Sequence, residues 1–416
     1  MIGVPFSFSE SKSWINLSIF SLSLAAIYAI ITIFLTSIHC FFEDDIYTNL
    51  YNNFSIVHMV LFSYITIFCI ANTIITYSVK DKFLFINKLL RYICFISICI
   101  LAISSIFESD NAIINNSMPI IDNLAFIIGI SFFTVTCFFI SFLSLFSQFS
   151  GSIIDYTSKT LAIIVVTSFT CLLIACHKLS HLIYDYPIDL IYYYKMIFLG
   201  YSNILQFLYF VVMEFFCIVF LYKALSQIKL VYKIMILFNG AFVIFTPIVY
   251  FLYQIDDFYL YNFFTKYLIY IGYVSILSIF ILLLFDIFQK KIDCSNLSII
   301  TFLSFSLLFF LKNTTISKYY YVFFILIPTL IIISLYVAWN HKKEIMVKKK
   351  ISLYWIITII FIIVAKIFSK DCIDNKIQIE ILGNFIEIIS LLIFIFYIKN
   401  INLNKPIIGH FIVDRI

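Results

Sequence analysis

Stretches of about twenty mainly apolar residues, separated by short polar connections, recur along the whole chain; that length carries a helix across the hydrocarbon of a bilayer. They begin near Trp14, Phe54, Leu89, Pro119, Thr160 and Tyr192, and again near Ile234, Tyr267, Leu297, Tyr319, Ile351 and Ile377. Hydrocarbon offers backbone N–H and C=O groups no water, so each segment must bond internally as a helix. The expected fold is all-α: a polytopic membrane protein of about twelve transmembrane helices in one bundle covering residues 1–416, with no soluble domain.

Composition agrees. Of 416 residues, 63% are hydrophobic and 12% charged, with a mean hydropathy of +1.08, whereas soluble domains carry roughly 25% charged residues. The 50 Phe and 29 Tyr against 8 Gly and 6 Pro are the skew of an AT-rich coding sequence, so aromatic stripes carry little argument. Ten cysteines, mostly inside apolar segments and without CxxC spacing, read as small hydrophobes.

Charge gives an orientation. The polar connections alternate: Glu43-Asp44-Asp45 and Glu108-Ser109-Asp110 have acids and no base, while Lys80-Asp81-Lys82, Lys290-Lys291 and Lys348-Lys349-Lys350 are basic. Counting from the N-terminus, every second connection and both ends hold most of the 27 Lys and Arg residues. Positive charge stays on the cytoplasmic side, so both termini are expected there. The net charge of +5 then reflects topology, and no nucleic-acid partner is implied. The expected surroundings are the lipid bilayer and other membrane subunits, in the cytoplasmic (inner) membrane of a bacterium with an AT-rich genome.

Six histidines are present: His39, His58, His177, His181, His341 and His410. His39 closes the outer end of the first helix. His58, expected a few residues into the second helix, either ligates haem or a metal or bonds a neighbouring carbonyl, the commoner case for a lone membrane His. His177 and His181 share a face at the outer end of the fifth helix, a spacing that suits a divalent metal. Asp185 and Asp189 follow on the same side; an interfacial polar cap is the commoner reading. His341 and His410 fall in basic cytoplasmic segments. Glu214, in the inner half of the sixth helix, costs at least about 2.5 kcal/mol in a membrane, which points to a proton path or a buried partner. Glu380 and Glu387 share a face of the last helix, with Glu380 near the interface.

Three segments carry a family resemblance. The second helix reads Phe54-Ser-Ile-Val-His58-Met-Val-Leu-Phe-Ser-Tyr64. The sixth reads Ile197-Phe-Leu-Gly200-Tyr-Ser-Asn203-Ile-Leu-Gln206-Phe207, and Asn313-Thr-Thr-Ile-Ser-Lys-Tyr319-Tyr320-Tyr321 precedes the tenth. In order, helix number and membrane depth these resemble ligand-bearing stretches of haem-copper oxidase subunit I, from a divergent bacterial branch (cytochrome c or quinol oxidase polypeptide I-like). The resemblance implies twelve helices, cytoplasmic termini and a place beside the respiratory chain.

It also implies what is missing. In that family a His at the position of Asn203 and two adjacent His of the seventh helix hold copper, and two His at the positions of Tyr319 and Tyr321 ligate haems. No His lies between His181 and His341, so only His58 remains, as a residual haem ligand at most. An amide is a poor substitute for one of three imidazoles on copper, and two phenolate-ligated haems would be unusual. The expectation is a degenerate, multi-pass member with no catalytic residues, no copper and no haem beyond one on His58, serving as a scaffold or assembly subunit. Two other classes compete. A twelve-helix secondary transporter would use discontinuous helices near the midplane, with Gly240, Pro247 and Glu214 as its markers. A membrane enzyme acting on lipids would have to use the His177, His181, Asp185 and Asp189 group.

Overall fold

The computed structural model describes residues 6–39, 45–77, 83–107, 112–113, 119–147 and 153–185, with helical backbone also at 208, 211–212, 215, 233–241 and 243–244. These residues are helical apart from turns and one ladder of two two-residue strands, β1 (Ala112–Ile113) and β2 (Ile120–Ile121). Helix α1 is Phe6–His39. Helix α2, Asp45–Met59, runs through a π-helical segment, Val60–Ile65, into α3, Thr66–Tyr77. Then come α4, Leu84–Ser104; α5, Leu124–Leu145; and α6, Ile153–Asp185.

Among the described residues five helices are long and apolar enough to cross a membrane: Ser13–Leu35, Asn49–Thr76, Phe85–Ser104, Leu124–Leu145 and Asp155–His177. The protein is therefore a multi-pass membrane protein in contact with lipid. The five correspond to the first five apolar stretches, with shifted edges. The second helix starts at Asp45, ahead of Phe54, because Asn52 and Asn53 are accommodated inside it. The fourth starts at Leu124, after Pro119, because Asn123 caps it. The stretches near Tyr267, Leu297, Tyr319, Ile351 and Ile377, most of that near Tyr192, and the C-terminus lie outside the described residues.

The chain divides into two compact units: Met1–Ser18, Ile67–Glu214 and Gln227–Ile276 form one, and Ile19–Thr66, Phe215–Ser226 and Leu277–Ile416 the other. In the first, α4 and α5 form an antiparallel hairpin closed at one end by Asn123. Its Oδ1 accepts from the Phe126 N–H at 2.7 Å, and its Nδ2 donates to the Ser104 carbonyl, the end of α4, at 2.9 Å. One residue thus satisfies groups at two helix ends that would otherwise lack partners. Further along, a Cβ on Gly129 would stand 2.8 Å from Leu101 Cγ and 3.1 Å from its backbone nitrogen. Helices in lipid gain little from apolar burial and associate by such close approach at small residues.

At the other end of α5 the Lys159 ammonium, from α6, closes the helix. It donates to the carbonyls of Ser144, Leu145 and Ser147 and to Ser147 Oγ, the last three at 3.0, 3.0 and 2.8 Å. A cation there also suits the negative end of the helix dipole. Phe138 of α5 stacks on Phe169 of α6 at 4.5 Å. Helix α3 lies parallel to α5, with Phe68 edge-on to Phe133 at 6.1 Å and Asn72 level with Cys137; α6 returns beside it, Ser158 Oγ donating to the Ile75 carbonyl at 3.3 Å. Neighbouring spans thus alternate in direction, as successive membrane crossings do. Their outer faces are apolar and open, Phe85 at 78% and Leu124 at 74% exposure, which suits contact with lipid chains.

Candidate functional site

His58 is the sequence candidate whose side chain is best placed. It lies in α2, nine residues inside the span that opens at Asn49, deeper than a helix starting at Phe54 would put it. It is 6% exposed. Its Nδ1 lies 2.8 Å from the Ala25 carbonyl of α1. A carbonyl only accepts, so Nδ1 carries the proton and donates; in the neutral ring the lone pair is then on Nε2. This is the orienting bond that ligand histidines use, and it is equally the satisfied bond of a structural histidine. Phe62 packs edge-on to the ring at 5.8 Å, and Tyr28 of α1 meets Phe54 at 5.3 Å.

Directly after His58 the helix widens into the π-helical segment. Its Leu61 carbonyl receives Ser21 Oγ from α1 at 2.9 Å and Thr66 Oγ1 at 2.8 Å, besides the Thr66 N–H, with the two hydroxyls 3.3 Å apart. Neither Pro nor Gly occurs between Met59 and Thr66, so the widening is held by hydroxyls: one from the same helix, one from its neighbour. Such segments are concentrated at functional sites. Sequence reading missed it, since Val-Leu-Phe-Ser-Tyr-Ile looks like any apolar run; the available signal was Ser21 and Thr66 facing inward in two apolar spans.

A second polar feature lies on α3, α4 and α5. Asn72 Nδ2 donates to Cys137 Sγ at 3.3 Å, and the buried Cys94 thiol lies beside the same residue. Cys69, Cys94 and Cys137 are free and fully enclosed. Five buried side-chain atoms on these helices have no hydrogen-bond partner: Asn72 Oδ1, both amide atoms of Asn87, Ser141 Oγ and Ser144 Oγ. Of these residues the sequence reading took up only the cysteines, as small hydrophobes, although Asn within a span and Cys137, Ser141 and Ser144 at helical spacing were readable.

Among the described residues the other sequence candidates are not brought together. His177 and His181 both fall on α6, with Asp185 its last residue, which places the two residues one turn apart along the helix backbone; His177 is exposed. Among the described residues no group of three or more His, Cys, Asp or Glu is placed to hold a metal ion. Asn203, Glu214, Tyr319, Tyr321, Asp189, His341, His410, Pro247, Glu380 and Glu387 lie outside the described residues.

Comparison with known proteins adds one relative. The chain is 27% identical over 230 residues to the uncharacterized protein RP382 of Rickettsia prowazekii (strain Madrid E), a match covering 48% of this chain and 44% of that protein. No family model matches, and no solved structure does.

Proposed function

We propose that this chain is a degenerate haem-copper oxidase subunit I-like membrane protein, a bundle without the oxygen-reducing centre, acting as a scaffold or assembly subunit in the cytoplasmic membrane of a bacterium. The observation that carries the proposal is His58. It is enclosed in the second helix, at the position where the resemblance has a haem ligand, with its ring oriented by the Ala25 carbonyl. Asn203, Tyr319 and Tyr321 stand in the sequence where the resemblance has copper and haem ligands, and none supplies an imidazole. Oxygen reduction needs haem iron and copper facing each other, and this donor set does not build the copper half. The orienting bond on His58 persists as packing whether or not a haem is retained. The bacterial relative is in keeping with the proposed location.

Reduced-minus-oxidised spectra of the purified full-length chain test the haem part. A flat Soret region removes haem from His58. A Soret band lost in His58→Ala and kept in His177→Ala assigns one haem to it. Cyanide-sensitive oxygen consumption by the purified chain would overturn the non-catalytic reading.

A secondary transporter is the second reading, favoured by the π-helical segment within a span and by the unpaired polar atoms on α3–α5. Irregular helix and polar groups within a span both mark functional sites and substrate paths in membrane proteins. Solute uptake into reconstituted vesicles that disappears in Glu214→Gln would favour it over the scaffold.

A further inference from the structure

Helix α4 carries two cations beside its open apolar face. Phe85, Leu89, Tyr92, Ile96 and Ile103 are each more than half exposed, and they recur every third or fourth residue, or two turns on, as one helical stripe. The opposite side is buried, with Cys94 and Leu101 enclosed and Leu101 against Gly129 of α5. Lys88 borders the open stripe and is exposed. Arg91 starts from its edge and is half-buried, and its guanidinium lies over the Tyr92 ring, 5.5 Å from the centroid. That is cation–π distance, and it carries the charge onto the lipid-facing side.

Both residues belong to the span itself. It opens at Phe85, so Lys88 and Arg91 stand about 5 and 9 Å along it. Charge on the lipid side of a span is costly and rare. Topology does not ask for it here, because Lys80 and Lys82, just before α4, already supply the positive flank. Like charges one turn apart on a helix also repel. Carboxylates of the hairpin do not offset them: α3, α4 and α5 contain no Asp or Glu. Asp155 of α6, at the same end, is buried and one turn from Lys159 on its own helix.

We propose that Lys88, Arg91 and Tyr92 form a headgroup site for an anionic phospholipid, whose acyl chains lie along Leu89, Ile96 and Ile103. Phosphate oxygens accept from an ammonium and a guanidinium together, and the long basic side chains reach the headgroup level along apolar surface. Two cations call for net negative charge, which a zwitterionic lipid with its own ammonium does not bring. A soluble anion brings the charge but leaves the apolar stripe without its chain. The site belongs to one unit of the chain and stands apart from the oxidase-like reading.

Spin-labelled phosphatidylglycerol and phosphatidylcholine with identical chains test this on the full-length protein in phosphatidylcholine vesicles. The motionally restricted fraction should be several-fold larger for the phosphatidylglycerol probe. The preference should be lost in Lys88→Gln/Arg91→Gln and kept in Lys348→Gln/Lys349→Gln, which removes the same charge from a basic connection. Should the first double variant fail to reconstitute, Lys88→Gln alone, at an exposed position, should still weaken the preference. Equal restriction of the two probes by the unaltered protein would overturn the proposal. Equal losses in the two double variants would do so as well, because bulk charge then acts without a site. A preference abolished by millimolar inorganic phosphate at constant ionic strength would likewise overturn it, since a free anion would then suffice.

Discussion

Single polar side chains at helix ends do much of the joining that apolar burial does in a soluble protein. Asn123 is the clearest: it holds the start of α5 and the end of α4 with one amide. Asn123→Ala should lower stability by about 1–2 kcal/mol, while Asn123→Asp, which keeps the cap and loses the donor to Ser104, should cost less. Unfolding midpoints of the three proteins in one detergent check the order. Lys159→Met leaves carbonyls of Ser144, Leu145 and Ser147 without their cation, and should cost on the order of 1–3 kcal/mol at constant side-chain length. Ser21→Ala should cost only about 0.6 kcal/mol, the mean for a hydrogen bond between membrane helices, because Thr66 still reaches Leu61. Of these residues only their polarity was legible in the sequence. Which carbonyl each one meets depends on helix register, and a run such as Phe107 to Asn123 does not state it.

At the scale of elements, Gly129 sets the spacing of the α4–α5 hairpin. Gly129→Ala places a methyl group against Leu101, including its backbone nitrogen, so relief needs the helices to part. The expected loss is about 1–3 kcal/mol, read as a lower midpoint and faster amide exchange in α4 and α5 together; a local effect confined to residues beside Gly129 would contradict shared spacing. The five described spans were legible, since about twenty apolar residues in hydrocarbon leave the backbone no alternative. Their edges were less so. Asn52 and Asn53 look like a loop and lie inside α2, where Asn53 is 3% exposed. Pro119 looks like a helix start and instead leads into strand β2, with the Asn123 cap behind it. The π-helical segment was invisible, because hydroxyl-to-carbonyl bonds from Ser21 and Thr66 set it rather than a Pro or Gly.

At the scale of the molecule, the alternating charge of the connections and, among the described spans, the alternating direction of α3, α4, α5 and α6 are two independent routes to the same up-and-down order over that stretch. One comes from Lys and Arg counts, the other from contacts such as Phe68 with Phe133 and Lys159 with the end of α5. The chemistry is a separate matter and rests on residue identity: one imidazole at His58, an amide at Asn203, and phenols at Tyr319 and Tyr321. Its central claim, a bundle of oxidase type that has lost its metals, is tested most directly by elemental analysis of iron and copper in the purified, untagged full-length chain, referenced to protein sulfur. The account predicts no copper and no more than a single iron per chain, held by a haem on His58 if any is retained. Copper in one-to-one ratio with the chain, accompanied by two haem irons, would contradict it.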